Sequence, residues 1–202
     1  MRQEKLPEAA GALVMEAALR TTTDPAIRDL FEAFLPEEQR ARRLGETVNP
    51  SDILPLAGDL ARGRQLFHES TVVQCRSCHR IGGKGTELGP DLDAIGKKYE
   101  RPKLLESILQ PSLQVDPKYT LYLVATKEGA VHSGLIVHRD AAVVELKDAQ
   151  NKSHRIAAED IEEMAPQKQS QMPDKLLRDF TAQQAADLLE YLSSLKQEPA
   201  AK

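Results

Sequence analysis

The chain has 202 residues and a net charge of −4, with 29% charged and 41% apolar side chains, a composition that excludes collagen-like and wholly disordered proteins. It has no long basic run and no apolar stretch near the roughly 18 residues of a membrane helix, which argues against a nucleic-acid-binding protein and against a transmembrane segment. Two cysteines exclude a disulfide scaffold, and an aromatic content of 4% is low for a core of this size, because aromatic side chains normally bury the largest areas.

Residues 1–58 are predicted to form a helical extension followed by a linker. Asp24 and Pro25 are typical of a helix N-cap and first turn, and apolar residues recur at helical spacing from there to Phe34. The prolines and glycine of residues 46–58 favour an irregular linker. The start of the chain shows no apolar segment of the kind found in secretory signal peptides.

Residues 59–118 are predicted to contain two helices separated by a long loop. Asp59 is placed to cap the first helix, and the second helix begins at Pro102 and ends at Pro111. Residues 70–101 between them have the glycine-rich composition of a loop.

Residues 119–165 change to the pattern of β-strands. Four strands are predicted, the last of them the weakest, over residues 119–126, 131–137, 142–146 and 153–157. Short turn-like sequences separate these strands, which predicts an antiparallel meander. A capping box formed by Thr181 and Gln184 predicts the start of a final helix. The expected fold class is therefore mainly α, with a small antiparallel β insertion and an N-terminal helical extension.

The sequence Cys75-Arg76-Ser77-Cys78-His79 has the spacing C-x-x-C-H, which is typical of covalent haem attachment. Cys75 and Cys78 are spaced to bind the two vinyl groups of one haem as thioethers, and His79 is then carried to the iron as an axial ligand. A zinc site needs about four ligands, and the chain has only two cysteines. A thioredoxin-like redox pair would follow a strand of a βαβ unit, whereas a helix and glycine-rich loops surround this motif.

The context of the motif, residues 59–118 together with 166–195, resembles a class I cytochrome c. In that family the helix before the motif crosses the C-terminal helix. The helix before the motif here carries Gly63 and Phe67. The resemblance implies that Gly63 allows a close approach to Tyr191 in the last helix.

The sequence Gly89-Pro90-Asp91-Leu92 is similar to the G-P-x-L segment of the same family. The resemblance implies that the Pro90 carbonyl accepts a hydrogen bond from Nδ1 of His79, which would orient the ring and raise its basicity. It also implies that Leu92 packs on the haem.

An electron-transfer haem needs a sixth iron ligand, and Met172-Pro173 is similar to the axial-ligand signature of the family. The resemblance therefore implies that His79 and Met172 are the two metal ligands. Met164 is a poorer candidate because it ends the strand-rich region, where methionine is usually a buried apolar side chain. His68 is the histidine nearest the motif, and an open or water-bound site is a further alternative. The other candidate ligands are Met15, His132, His138 and His154.

The separation of His79 from Met172 is 93 residues, which is long for a class I domain. Without residues 119–165 the separation is 46 residues, which suits the family. The chain is therefore predicted to consist of an N-terminal part, residues 1–58, and a cytochrome c domain, residues 59–202, which the β insertion interrupts.

A more specific resemblance extends over roughly residues 24–196. It is to the C-terminal haem-binding domain of large dehydrogenase-like proteins of planctomycete-type bacteria. The sequences that carry it include residues 104–112, Pro117-Lys118-Tyr119 and Ser170-Gln171-Met172-Pro173. Covalent haem attachment takes place outside the cytoplasm, so a periplasmic or other extracytoplasmic protein is expected. The missing signal peptide then predicts a fragment of a longer exported protein, with Met1 as an added start.

The resemblance implies an electron-transfer domain, and not an enzyme in its own right, with one haem c bound through Cys75 and Cys78. The expected partner is a redox protein or a dehydrogenase domain of the parent chain. The alternative function is a haem site that senses a gas or acts like a peroxidase, with the distal position open or bound by a histidine.

Overall fold

The computed structural model describes residues 40–70 and 72–197, together with a few positions nearer the N-terminus, namely residues 10–11, 13–14, 16–17 and 37. The chain divides into two compact units, Met1–Arg43 and Leu44–Lys202. In the first unit the described residues between 10 and 17 are helical. The helix predicted from Asp24 to Phe34 lies outside the described residues.

The second unit contains helices and strands in roughly equal measure. The helices are α1 (Leu60–Glu69), α2 (Ile95–Lys98), α3 (Arg101–Leu109) and α4 (Ala182–Ser194). The strands are β1 (Arg80–Ile81), β2 (Lys84–Gly85), β3 (Leu121–Thr126), β4 (Val131–Arg139), β5 (Val143–Lys147), β6 (Ser153–Ala157) and β7 (Ile161–Pro166). Short 3-10 turns lie at Pro50–Asp52, Cys75–Ser77, Pro117–Tyr119 and Ala158–Asp160. Among the described residues, no helix combines the length and the apolar character that crossing a membrane requires.

Helices α1 and α4 cross at close range because a glycine stands at the crossing point. A Cβ atom at Gly63 would lie 1.9 Å from the carbonyl oxygen of Asp187 and 2.9 Å from Cβ of Tyr191. The rings of Phe67 and Tyr191 meet beside this point, with their centroids 5.9 Å apart. The predicted approach of Gly63 to Tyr191 is confirmed.

A buried carboxylate also joins the two helices. Asp187 is 2% exposed and accepts hydrogen bonds from Nε and Nη2 of Arg62, at 2.7 and 3.0 Å. The backbone N–H of Asp59 and Nε2 of Gln183 each donate to it at 2.8 Å. Burial by itself raises the pKa of Asp187, but the hydrogen bonds from Arg62, Gln183 and Asp59 outweigh it, so the pKa lies below its ordinary value.

The segment 46–58, which was expected to be a linker, packs on the helical core. Ile53 is completely buried there. The carbonyl oxygen of Leu56 accepts a hydrogen bond from Nη2 of Arg101 at 2.7 Å. These contacts make the segment part of the folded unit that contains the helices. The most buried side chains of the helical core are Ile53, Leu105, Leu177, Ala185, Ala186 and Leu189.

Strands β3 to β7 form one antiparallel sheet in the order β6-β5-β4-β3-β7. The first four of them are the predicted meander. Strand β7 was not predicted, because its sequence Ile-Glu-Glu-Met-Ala-Pro does not alternate between apolar and polar residues. It pairs with the free edge of β3, where Tyr122 lies opposite Pro166.

The predicted fold class, mainly α, is wrong, because the second unit holds a five-stranded antiparallel sheet with its own apolar core. Val124 and Leu146 are completely buried in this core, and Val144 and Ile156 lie beside them. The strands therefore stabilise one another instead of only covering the helices. The second unit has an α + β architecture with two cores.

The sheet is strongly coiled. Strands β6 and β7 occupy opposite edges, yet only Ala158–Asp160 separates them along the chain, and three residues span roughly 10 Å. The backbone N–H of Lys127 donates to the carbonyl oxygen of Asp160 at 2.9 Å, which joins this turn to the end of β3. A register shift between Ile136 and His138 marks the bulge at which β4 bends. The coiling brings the two edges together around the second core.

Candidate functional site

The C-x-x-C-H motif folds as one tight turn between α1 and β1. Residues Cys75–Ser77 form a 3-10 turn, and the backbone N–H groups of Cys78 and His79 both donate to the carbonyl oxygen of Cys75, at 3.2 and 2.9 Å. Cys75 and Cys78 are free thiols. The turn therefore carries two thiols and one imidazole in close succession.

The imidazole of His79 is oriented by the loop that follows β2. Its Nδ1 donates to the carbonyl oxygen of Pro90 at 2.8 Å, and since a carbonyl only accepts, Nδ1 carries the proton and Nε2 is left with a free lone pair. The ring lies against the backbone of Gly89, where a Cβ atom would stand 2.7 Å from Cε1. Burial lowers the pKa of His79 and outweighs the bond to Pro90, which raises it. The neutral ring with a fixed Nδ1–H is the form in which histidine binds a metal through Nε2.

Burial also keeps the two thiols neutral. It raises the pKa of the Cys75 thiol to about 11 and raises the pKa of the Cys78 thiol as well. A thioredoxin-like pair needs a thiol with a lowered pKa, because the thiolate is the reactive form. The surroundings of the motif therefore argue against that alternative.

Residues 89–93, here called the proximal loop, are joined to the motif by backbone hydrogen bonds. The N–H of Gly89 donates to the carbonyl oxygen of Cys78 at 2.7 Å. The N–H of Leu92 donates to the carbonyl oxygen of Arg80 at 3.0 Å. The side chain of Leu92 is half-buried and packs against the helical core.

A salt bridge that the sequence did not predict also holds the proximal loop. Nε and Nη2 of Arg80, the residue after His79, donate to the same oxygen of Asp91 at 2.9 and 2.7 Å. The other oxygen of Asp91 accepts from the backbone N–H of Asp93 at 2.8 Å. Nη1 of Arg80 binds Glu87 at 2.7 Å. Two opposite charges in an irregular loop form no periodic pattern, so only the fold reveals that they meet.

Met172 lies on the loop between β7 and α4 and is half-buried. Its backbone N–H donates to Oγ of Ser170 at 3.1 Å. The N–H of Ser170 in turn donates at 3.0 Å to Oγ of Ser112, which follows α3. The hydroxyl of Ser112 therefore joins the Met172 loop to the end of α3, and the hydroxyl of Ser170 braces the loop itself. Both polar atoms of the neighbouring Gln171 amide are buried without a hydrogen-bond partner in the described structure.

Two of the other candidate ligands, Met164 and His68, make contacts elsewhere in the second unit. Met164 packs in the core of the sheet. Nε2 of His68 lies 3.0 Å from the hydroxyl oxygen of Tyr191, at the crossing of α1 and α4. Met15 lies outside the described residues.

The three histidines of the sheet interact with one another or with carboxylates. His138 and His154 pair with Asp140 and Asp148, at 2.9 and 2.7 Å. The ring of His132 lies 5.0 Å from that of His154, centroid to centroid. Within the part of the chain that the structure describes, no three His, Cys, Asp or Glu side chains are grouped to hold a metal ion. The zinc alternative therefore finds no ligand set there.

Comparison with known families gives a match to the family model Cytochrome c over residues 60–128. The matched stretch contains α1, the motif turn, the proximal loop, α3 and β3, and it ends before the Met172 loop. No curated protein matches the chain. The match supports a class I cytochrome c domain and, with it, a covalently bound haem c.

The residues of the motif turn fit a haem. The free thiols of Cys75 and Cys78 are the groups that form thioethers, and the neutral ring of His79 holds Nε2 ready as a ligand. Gly89 has no side chain, and any other residue there would place a Cβ atom against the ring of His79. The amide of Gln171 is buried and has no hydrogen-bond partner within the described residues, which costs free energy. A polar group of a bound cofactor would supply the missing hydrogen bond.

Proposed function

We propose that this chain is a c-type cytochrome domain that transfers single electrons through one haem c bound at residues 75–79. The observation that carries the proposal is the hydrogen bond from Nδ1 of His79 to the Pro90 carbonyl. It leaves Nε2 as an unprotonated ligand beside two free thiols. The family match over residues 60–128 supports the same cofactor.

Each residue of the site has a distinct role in this proposal. Cys75 and Cys78 form the thioether bonds, and His79 gives Nε2 to the iron. Leu92 packs on the ring of the cofactor, and Met172 supplies the sixth ligand from a loop that serine hydroxyls hold in place. When bound, the haem supplies an Fe(II)/Fe(III) couple, which a Met thioether biases toward Fe(II) more than a second histidine does.

We infer that the domain acts outside the cytoplasm, as the electron-transfer part of a larger oxidoreductase and not as an enzyme itself. The donor is a dehydrogenase domain of the same parent protein, and the acceptor is another redox protein. This assignment rests on the resemblance of residues 104–112 and 170–173 to the haem-binding domain of planctomycete-type dehydrogenase-like proteins. In the same proposal residues 119–165 interrupt a cytochrome domain that begins near Asp59.

An absorption spectrum of the matured protein tests the ligands. We expect the ferric wild type to show a Met–iron charge-transfer band that Met172→Ala abolishes. Met164→Leu is the matched control, because Met164 packs in the sheet core, and it should keep the band. A high-spin spectrum, or ready CO binding by the untreated ferrous wild type, would contradict Met ligation and favour a gas-binding or peroxidase-like site.

Covalent attachment is tested separately. Cys75→Ala and Cys78→Ala should each reduce the amount of haem that stays with the chain after denaturation. The wild type should retain its haem under the same conditions. A wild-type chain that carries no haem after co-expression with the attachment machinery would contradict the proposed function as a whole.

A further inference from the structure

We infer that the salt bridge between Arg80 and Asp91 positions the imidazole of His79, and that through this ring it sets the reduction potential of the site. The inference rests on the proposed function. Arg80 and Asp91 act through the proximal loop, so they are positioning residues.

The salt bridge is less exposed than an ordinary surface ion pair and is made by two nitrogens. Two nitrogens of Arg80 bind one oxygen of Asp91, at 2.9 and 2.7 Å. Their side chains are only 23% and 26% exposed, so solvent screens the pair less than it screens a fully exposed one. The same Asp91 side chain accepts the N–H of Asp93, which fixes the carboxylate in one orientation.

The salt bridge acts on the carbonyl group that binds His79. Pro90 has no N–H of its own, so it cannot anchor itself by donating a backbone hydrogen bond. Its carbonyl shares a peptide plane with the nitrogen of Asp91, and holding Asp91 therefore fixes the direction of that carbonyl. Arg80 holds the loop a second time, since its own carbonyl accepts the N–H of Leu92 at 3.0 Å. One residue, next to His79 in sequence, thus restrains both Asp91 and Leu92, the two residues that follow Pro90.

A fixed carbonyl strengthens the hydrogen bond from Nδ1 of His79 and makes the imidazole a better electron donor. A better donor stabilises the ferric state and lowers the reduction potential. Loss of the salt bridge lets the Pro90 carbonyl move, weakens the bond to Nδ1 and raises the potential.

The test uses the double variant Arg80→Gln/Asp91→Asn, which removes the salt bridge without changing the net charge. We expect the Nδ1 proton of His79 and the backbone N–H of Leu92 to exchange with solvent about tenfold faster than in the wild type, as for the loss of a hydrogen bond to a charged group. We also expect a higher reduction potential. Both measurements are made on the matured protein, the exchange by nuclear magnetic resonance in the ferrous state.

Arg64→Ala is the control for charge. Arg64 is exposed on α1 and has no ion pair among the described residues. Its loss should lower the potential through charge alone and leave both exchange rates unchanged. Arg80→Lys keeps the charge but cannot bind with two nitrogens in one plane, so its exchange rates should fall between those of the wild type and the double variant.

Wild-type exchange rates and potential in the double variant would overturn the inference. A rise in potential without faster exchange would also overturn it, because the potential would then change without any loosening of the loop. If the wild type carries no haem, the proposed function fails, but exchange at Leu92 in the haem-free chain still decides whether the salt bridge holds the loop.

Discussion

Gly63 and Asp187 meet backbone to backbone where α1 crosses α4, so that a Cβ atom at Gly63 would lie 1.9 Å from the carbonyl oxygen of Asp187. Because that atom belongs to a helix backbone, it cannot turn aside as a side chain would. The two helices approach each other only because residue 63 has no side chain.

Gly63→Ala should therefore destabilise the protein by about 3 kcal/mol, since α1 must move away from α4. Chemical denaturation followed by circular dichroism measures the loss. Gly129→Ala is the control: Gly129 has φ +84° but no heavy atom within 4 Å of its added Cβ, so it should cost only about 1 kcal/mol of backbone strain. Equal losses in the two variants would show that the crossing is not held by close packing.

Asp187→Asn should cost about 2 kcal/mol, because it removes the buried carboxylate that binds Arg62 at 2.7 and 3.0 Å while keeping an acceptor for Asp59 N–H. The pKa of Asp187 lies below the ordinary value of 3.8 in the folded protein. Its contribution to stability is therefore present above pH 4 and is lost as the pH falls through the folded value. Unfolding measured from pH 7 down to pH 2 should show a flatter acid dependence in the variant. An unchanged slope would contradict the role given to this carboxylate.

Leu146→Ala should destabilise the sheet by about 3 kcal/mol, since Leu146 is completely buried in the sheet core. If the sheet has its own core, the absorption spectrum of the matured variant at low temperature should match that of the wild type. Val137→Ala, on the exposed side of β4, should cost less than about 0.5 kcal/mol. Loss of the wild-type spectrum in folded Leu146→Ala would show that the two cores depend on each other.

Ser170→Ala removes the acceptor for the N–H of Met172 and should loosen its loop. On the proposed function, the Met–iron charge-transfer band should disappear at a lower temperature than in the wild type, with a ligand-loss equilibrium about fivefold larger, as for one neutral hydrogen bond. Ser194→Ala, which removes a hydroxyl at the end of α4, should leave the band unchanged. If the band in Ser170→Ala is as stable to heat as in the wild type, the hydrogen bond from Met172 to Ser170 does not support iron ligation.

The sequence predicted the local elements better than the way they combine. The strands of the meander follow the alternating pattern, and the resemblance to a class I cytochrome c implied the helix crossing at Gly63. Strand β7 was missed because Glu162 and Glu163 break the alternation, while pairing with β3 supplies what local preference lacks. Without β7 the predicted meander has only four strands and little core of its own, which is why the sequence favours a mainly α class.

The site shows the same division between local and long-range information. The motif and its spacing were sufficient to identify Cys75, Cys78 and His79 as one group, because all three lie in one turn. The pairing of Arg80 with Asp91 could not be predicted, since no spacing rule joins residues across an irregular loop. Ile53 belongs to a short apolar group between and after two prolines that shows neither a helical nor a strand period, although the fold buries Ile53 completely.

The segment that forms the five-stranded sheet begins and ends at one place in the structure. The N–H of Gln167 donates to the carbonyl oxygen of Leu121 at 2.8 Å, and Tyr122 lies opposite Pro166, so β3 and β7, the first and last strands of the sheet in sequence, run side by side. The polypeptide thus makes a closed detour of more than forty residues and returns to its starting point. Because the two ends of this segment lie side by side, a short turn from residue 120 to residue 167 would span the same gap. The sheet is therefore a module that another domain with closely spaced ends could replace.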